Sequence, residues 1–498
     1  MEANLGRRDF LKMASAGAAI VVAGGALAGC AAGSGSGSKN TAAEALVGYV
    51  PVNFTEETEV LILGTGIAGM SAAMDPVEAG NKVVLVDKLE RIGGESFIAC
   101  GVMNVSGSKM QKDAGIQGDP EEKWKKFQPV LEKAGETDDM EYKHQVYVNQ
   151  TEWADRVVAD YGAEFQPITD YMNTGALTSM LLPKNGIGDM TTVLTPLQKG
   201  LEAKGANFKL NLRATNFIVD DKGTPIGVRF NDEKKGGSVD FKAKKIIVAT
   251  GGFSCNQEMI SAYMPSQARM GPLTVNSMGE GHQMCKAIGG EYTRMDMEAN
   301  LMSDLAQVTV WGYFGPNVQV TPQGRRFIKE DNSHDSPDVV KEKGLGFWWT
   351  IFDNQLINGS QKWNVAMNMK SNADRLVGPC ASLDELAVAM DVPADTLKET
   401  FASYDAMVAA GEDTEFKKKL FLQSLSAPFY AMKHFAYRYK THGGMKVTTE
   451  SQLTNKEGTP IPNVYCCGST VADSGSDLSP NAGSGLITGK AVVAALKA

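Results

Sequence analysis

An α/β fold, with a parallel sheet flanked by helices and an inserted second domain, is predicted by three features of this 498-residue chain. A short apolar run, Glu59-Val60-Leu61-Ile62-Leu63, leads into Gly64-Thr65-Gly66-Ile67-Ala68-Gly69 and then an alanine-rich helical stretch to about Ala79. A second apolar run, Lys82 to Val86, ends at Asp87, 18 residues after Gly69. Strand, glycine loop, helix and acid-ended strand in that order make a Rossmann-like βαβ unit. The length exceeds what one small core organises, so a further domain is expected.

The start of the chain reads as an address rather than as fold. Gly6-Arg7-Arg8-Asp9-Phe10-Leu11-Lys12 is a twin-arginine export signature, followed by an Ala/Gly/Val run from Met13 to Ala28. That run is too short and glycine-laced to span a membrane. Leu27-Ala28-Gly29-Cys30 matches a lipobox, so Cys30 is the expected lipidation site; a plain cleaved signal with Cys30 incidental is the alternative. Residues 1–30 are then the signal and 31–54 a flexible tether, rich in Gly and Ser as far as Asn40. The mature protein is expected outside the cytoplasmic membrane, exported folded by the twin-arginine machinery and lipid-anchored.

Composition narrows the partners. Hydrophobic content of 43% with 21% charge is that of a folded protein. A net charge of −9 without a basic stripe argues against nucleic acid. Seven cysteines without C-x-x-C spacing support no zinc ribbon, haem attachment or disulfide framework, so no metal is expected.

Within the βαβ unit each residue type has a physical reason. Gly64 allows the tight turn, Gly66 lets backbone approach a pyrophosphate, and Gly69 lets the helix pack on the strand. The helix start at Ile67 and Ala68 offers N–H groups to phosphate oxygens. Asp87, with Lys88 beside it, would meet the ribose hydroxyls. NAD and FAD both fit this fingerprint.

The following residues are more specific. Arg91-Ile92-Gly93-Gly94-Glu95-Ser96, then Cys100-Gly101-Val102-Met103-Asn104, resemble the corresponding run of the fumarate reductase and succinate dehydrogenase flavoprotein family. Lys245 to Phe253, with Thr250-Gly251-Gly252, is similar to that family's returning strand and turn. Gly279-Glu280-Gly281 stands where the family has Gly-Asp-Gly, and Gly324-Arg325-Arg326-Phe327-Ile328-Lys329-Glu330 resembles its Gly-x-Arg-Phe-x-x-Glu block. Thr441-His442-Gly443-Gly444, Asn463 to Gly468 with Ser469, and Ala482-Gly483-Ser484-Gly485-Leu486 follow in family order.

The resemblance implies non-covalent FAD, held by the glycines above and by Gly93, Gly94, Glu95, Ser96, Gly101, Met103, Ala214, Thr250, Gly251, Gly252, Glu280, Gly468, Ser469, Gly485 and Leu486. The family usually has Asn where Glu95 stands. It also implies an FAD-binding domain over residues 55–291 and 441–498, with an α+β capping domain over 292–440. With no second dinucleotide fingerprint, electrons are expected from a separate membrane or periplasmic donor, cytochrome- or quinol-linked.

Shared family chemistry is hydride transfer between flavin N5 and a carbon of an activated double bond, with a protein acid handling the proton. Fumarate reductases have an arginine eight positions after the Arg of Arg-Phe, and ketosteroid dehydrogenases a tyrosine. The same count from Arg326 reaches His334, a residue suited to proton transfer near neutral pH. Tyr439, His442 and Tyr313 are the other candidate acids. The cations that would clamp a dicarboxylate are missing: Ser479-Pro480-Asn481 fills one such stretch, Val310 and Tyr313 the proton-relay pair, and no arginine follows Arg438. Met302, Trp311, Tyr313, Phe314, Trp348 and Trp349 together suit a flatter, mostly neutral ligand, although any one of them taken singly reads rather as cap core. Lys440 is expected to orient a carbonyl or carboxylate, with Trp311, Met302, Ser479 and Asn481 as further substrate contacts.

These observations predict an exported FAD enzyme that reduces the C=C bond of a small organic acceptor other than fumarate: an aryl acrylate, enone, unsaturated lactone or steroid. A ketosteroid-type dehydrogenase running in the opposite direction and a non-catalytic flavin relay are the alternatives.

Overall fold

The computed structural model describes residues 46–47, 52–133, 139–168, 180–186, 188–305, 312, 315–360, 362–472 and 478–498. The expected signal, Cys30, Trp311, Tyr313 and Phe314 lie outside the described residues, and His334 is described in its backbone alone.

The main sheet has nine strands among the described residues. Its centre is Phe54–Leu63, parallel to Val83–Val86 on one side and to Ser238–Val248 on the other. Asn207–Lys209 extends it in parallel beyond Val83–Val86. The long strand Ser238–Val248 serves two neighbours. Its first half pairs antiparallel with Pro225–Asp232, and its end pairs in parallel with Pro460–Cys466, Val464 opposite Ile246.

The uninterrupted apolar runs are explained by burial on both faces. Val60, Ile62, Val83 and Leu85 enter one core, whereas Leu61, Leu63, Val84 and Val86 enter the other. Helix Ile67–Glu78 packs on the final helix, Leu478–Lys497, through backbone contact. A Cβ at Gly485 would overlap the Ala68 carbonyl oxygen, and one at Gly489 would stand 2.7 Å from that of Ala72. These glycines, four apart and on one helix face, bring the last segment of chain against the first.

Residues 317–434 contribute a separate antiparallel sheet, in the order Asn317–Val320, Trp348–Phe352, Phe429–His434, Leu376–Cys380. Helices Leu383–Met390 and Ala394–Ala410 supply Leu386, Leu397, Phe401 and Tyr404 to its core. Trp348 and Trp349, each of which reads singly as cap core, are buried here at 1% and 4% exposure, and Trp348 stacks on His434. Their strand has neighbours on both edges, so both tryptophans serve packing.

Two fully buried histidines set an acid limit on stability. Burial lowers His282 to about 4, and burial with the nearby Arg375 charge lowers His434 to about 3. The unfolded chain takes up protons near pH 6.5 while these folded sites stay neutral. Their stability contribution is therefore full above pH 6.5 and declines as pH falls toward 4, by about 1.4 kcal/mol per pH unit for each group. Urea unfolding between pH 7 and 5 should show a shallower decline for His282→Phe than for the parent; equal slopes would contradict the assignment.

Candidate functional site: a dinucleotide cleft with one acidic wall

At the end of the first strand Gly64 takes φ +107°, and a Cβ there would overlap the Ala249 carbonyl oxygen. A Cβ on Gly69 would overlap the carbonyl oxygen of Gly64. Gly66 differs. A Cβ on it would meet Ser96 Oγ at 3.6 Å and Gly93 O at 4.0 Å, ordinary contacts, and the residue lines the cleft. The three glycines thus act separately, two in close packing and one in leaving the cleft open.

Asp87 closes the neighbouring strand. Its Oδ2 accepts from the Thr65 N–H at 2.9 Å and the Thr65 hydroxyl at 2.6 Å, and its Oδ1 from the Leu89 N–H at 2.9 Å. Ser96 Oγ accepts from the Ile67 N–H at 3.1 Å, tying the Gly93–Ser96 turn to the helix start. Lys88 Nζ donates to Glu280 Oε1 at 2.6 Å and to Asn276 O at 2.8 Å, and Arg213 reaches the same Glu280 oxygen at 2.8 Å. Gly279 caps the Glu280 helix at φ +71°, and a Cβ on Gly281 would overlap Thr250 Oγ1. Those two glycines therefore seat the helix on the strand end.

A cleft of about 1380 Å³, open mouth included, runs along these elements. One end is lined by Asp87, Lys88, Leu212, Arg213, Ala214, Phe230 and Glu280; the middle by Gly64, Gly66, Ile67, Ala68, Gly94, Glu95, Ser96, Thr250 and Gly251; the other end by Gly252, Leu273, Tyr439, Lys440, Gly468, Ser469, Leu478 and Asn481. The strand Ala436–Lys440 brings in Tyr439 and Lys440. It pairs with Asn300–Ser303 on one edge, while its Arg438 exchanges backbone bonds with Gly271 and Leu273 on the other.

Arg438 itself is 1% exposed and points away from the cleft. Its guanidinium donates to the carbonyls of Ser254 at 3.1 Å, Gln267 at 2.7 Å and Met270, and to Gln257 Oε1 at 3.2 Å. It fastens the strand to the loop behind it.

Several expected contacts stand elsewhere. Gly69, Gly93, Gly101, Met103, Gly485 and Leu486 do not line the cleft. Met103 and Leu486 are fully buried core, and Gly101, at φ +81°, packs against Pro183 and Met190. Among the substrate candidates, Met302 lies opposite Tyr437 on the paired strand and Ser479 is buried near Asn104 O. His442 Nε2 is 2.5 Å from Asn300 Oδ1, outside the lining, and His334 sits on the helical turn Glu330–Asp335. Cys466 and Cys467 are fully buried, with Cys466 Sγ 3.9 Å from that of Cys285; burial raises the Cys467 thiol to about 12, so both pack rather than react.

Sequence reading missed Leu212, Phe230, Leu273, Thr274, Asn276 and Ser277. Thr274, Asn276 and Ser277 come from an irregular loop without a motif; its polar residues just ahead of Gly279-Glu280-Gly281 were the available signal. Leu212 and Phe230 sit on paired antiparallel strands whose alternation looks like any half-buried sheet.

The donor set fits FAD. One end offers apolar Leu212 and Phe230 with acidic Asp87, suited to an adenosine. The middle offers a helix N-terminus, Ser96 and an uncrowded Gly66, suited to a diphosphate. The far end offers Lys440, Ser469 and Asn481 beside Leu273 and Leu478, suited to a ring with polar edges.

Comparison with known proteins agrees. The FAD binding domain family matches residues 59–486. The probable fumarate reductase Ifc3 of Shewanella frigidimarina is 28% identical over 428 residues, 83% of this chain and 70% of that protein. The urocanate reductase of Eggerthella lenta is 25% identical, over 85% of this chain and 72% of that one. The open conformation of a flavocytochrome c3 fumarate reductase superposes with a TM-score of 0.72 at 25% identity, covering 89% of this chain and 79% of that one. The chain belongs to the FAD binding domain family and is an FAD-dependent oxidoreductase of the fumarate reductase-like flavoproteins, whose members act on C=C bonds.

Proposed function

We propose that this protein reduces an activated C=C bond of a neutral or singly anionic organic acceptor other than fumarate, outside the cytoplasmic membrane. The observation that carries this reading is the charge of the cleft's substrate end. Lys440 is the one cation lining that end among the described residues, while Lys88 and Arg213 line the opposite end on Glu280. One lysine can hold one carboxylate or polarise one carbonyl; a dicarboxylate calls for fixed cations at both ends. An aryl acrylate, enone, unsaturated lactone or steroid meets that requirement.

Bound FAD, held without a covalent link, supplies hydride chemistry at flavin N5. The chain's residues do the rest. Tyr439 and Lys440 form the wall that orients the acceptor, with Asn481 and Ser469 across from them. His334 supplies the proton. Its turn is fastened from behind, where Asp331 Oδ2 accepts the Lys419 N–H at 2.7 Å and the Leu420 N–H at 2.9 Å. Residues 292–440 act as a cap that closes over the cleft and excludes water.

Turnover driven by a reduced viologen, with the saturated product identified, tests the reading. A saturated product from an acceptor bearing one carboxylate or none supports it, and preference for fumarate over all such acceptors contradicts it. His334→Ala should slow that turnover by about 10²-fold while leaving FAD bound. An unchanged rate would transfer the proton role to Tyr439, tested by Tyr439→Phe.

Export by the twin-arginine route, lipidation at Cys30 and delivery of electrons by a membrane or periplasmic cytochrome or quinol-linked donor complete the proposal. Cys30→Ala should release the protein from the membrane fraction in its native host; retention would remove the anchor.

A further inference from the structure

We infer that Glu95 is a neutral carboxylic acid in the wall of the cofactor cleft, so that FAD binding is coupled to the proton on this one residue. This rests on the cofactor reading of the cleft. Glu95 lines the middle of the cleft, next in sequence to Ser96, which binds the helix start at Ile67. Thr274 and Ser277 hydrogen-bond to its carboxyl group. Its Oε1, however, is buried without any partner in the structure.

A buried, unpartnered carboxylate oxygen beside a site for an anionic diphosphate is unfavourable twice over, by desolvation and by repulsion. One proton removes both costs. The surrounding charges leave this state in place. Lys88, whose charge acts on Glu95, is committed to Glu280 and the Asn276 carbonyl. Cys255, from the strand-to-helix loop, is a thiol kept neutral by burial. Thr274 and Ser277, from the facing loop, carry no charge, and burial outweighs the downward pull of their hydrogen bonds and of Lys88. Burial accordingly raises the Glu95 carboxyl above the usual carboxylate range.

Ionised Glu95 must take up a proton before FAD binds, so affinity declines with rising pH. Apoprotein titrated with FAD between pH 5 and 9 should show a Kd that rises with pH, by up to tenfold per pH unit where Glu95 is ionised in the apoprotein. Glu95→Gln, neutral and of the same shape, should bind FAD with a level Kd throughout. Calorimetry in buffers of different ionisation enthalpy should show the parent taking up close to one proton per FAD at pH 9, and the variant none.

Parallel pH profiles for the two proteins, or no proton uptake by the parent at pH 9, would overturn the inference. If neither protein bound FAD at any pH, the cofactor assignment of the cleft would fall instead, and the inference with it.

Discussion

Gly66→Leu is expected to give a folded but colourless protein. A Cβ on Gly66 meets only Ser96 Oγ at 3.6 Å and Gly93 O at 4.0 Å, so the extra atoms enter the cleft rather than the core. They occupy the space beside the helix start where the diphosphate fits. Overpacking at a filled site costs up to about 3 kcal/mol, which is a loss of up to ~10²-fold in FAD affinity. Gly69→Leu, three residues on, should fail differently. Its Cβ would overlap the Gly64 carbonyl oxygen, so helix and strand separate and stability itself falls. Flavin content and thermal unfolding, measured together, distinguish the two; full flavin occupancy in folded Gly66→Leu would contradict the site.

Arg326→Leu should cost about 3–5 kcal/mol of stability. Arg326 is 1% exposed in its side chain and holds two fully buried carboxylates, Glu330 and Asp413, each with a bond at 2.8 Å. Lys418 balances the cluster: its Nζ donates to Asn317 O at 2.6 Å and lies 3.8 Å from Glu330. The four charges sum to zero, and removing the guanidinium leaves a net buried negative charge. Arg326→Lys restores the charge but not the forked geometry, so it should recover only part of the loss. Hydrogen bonds from Arg326 and the loop amides outweigh burial and hold the Asp413 carboxyl down at about 2. Its contribution is present above the ordinary carboxylate range and disappears as pH falls through about 2. Urea unfolding at pH 7 measures the main effect, and a loss below 1 kcal/mol would contradict it.

The FAD cleft was more legible in sequence than the antiparallel sheet of residues 317–434, for a physical reason. Gly64, Gly69 and Gly281 stand where a single carbon atom would overlap backbone or side chain, so their spacing carries geometry directly. The antiparallel sheet of residues 317–434 has no such constraint. Trp348 and Trp349 fit a ligand wall as part of an aromatic set and core when taken singly, and their burial at 1% and 4% exposure decides for core. Arg438 adjoins the candidate residues Tyr439 and Lys440 in sequence, yet four neighbouring oxygens turn it into the wall. Pairing registers, and loops such as the one bearing Thr274 and Ser277, depend on contacts distant in the chain.

The central claim is that this FAD enzyme passes hydride to a C=C bond other than that of fumarate. Anaerobic stopped-flow reoxidation of the dithionite-reduced flavin tests it most directly, against fumarate, urocanate, cinnamates, enone steroids and unsaturated lactones. The account predicts fast reoxidation by at least one neutral or singly anionic alkene, with fumarate inert. Fast reoxidation by fumarate, or none by any alkene, would contradict it.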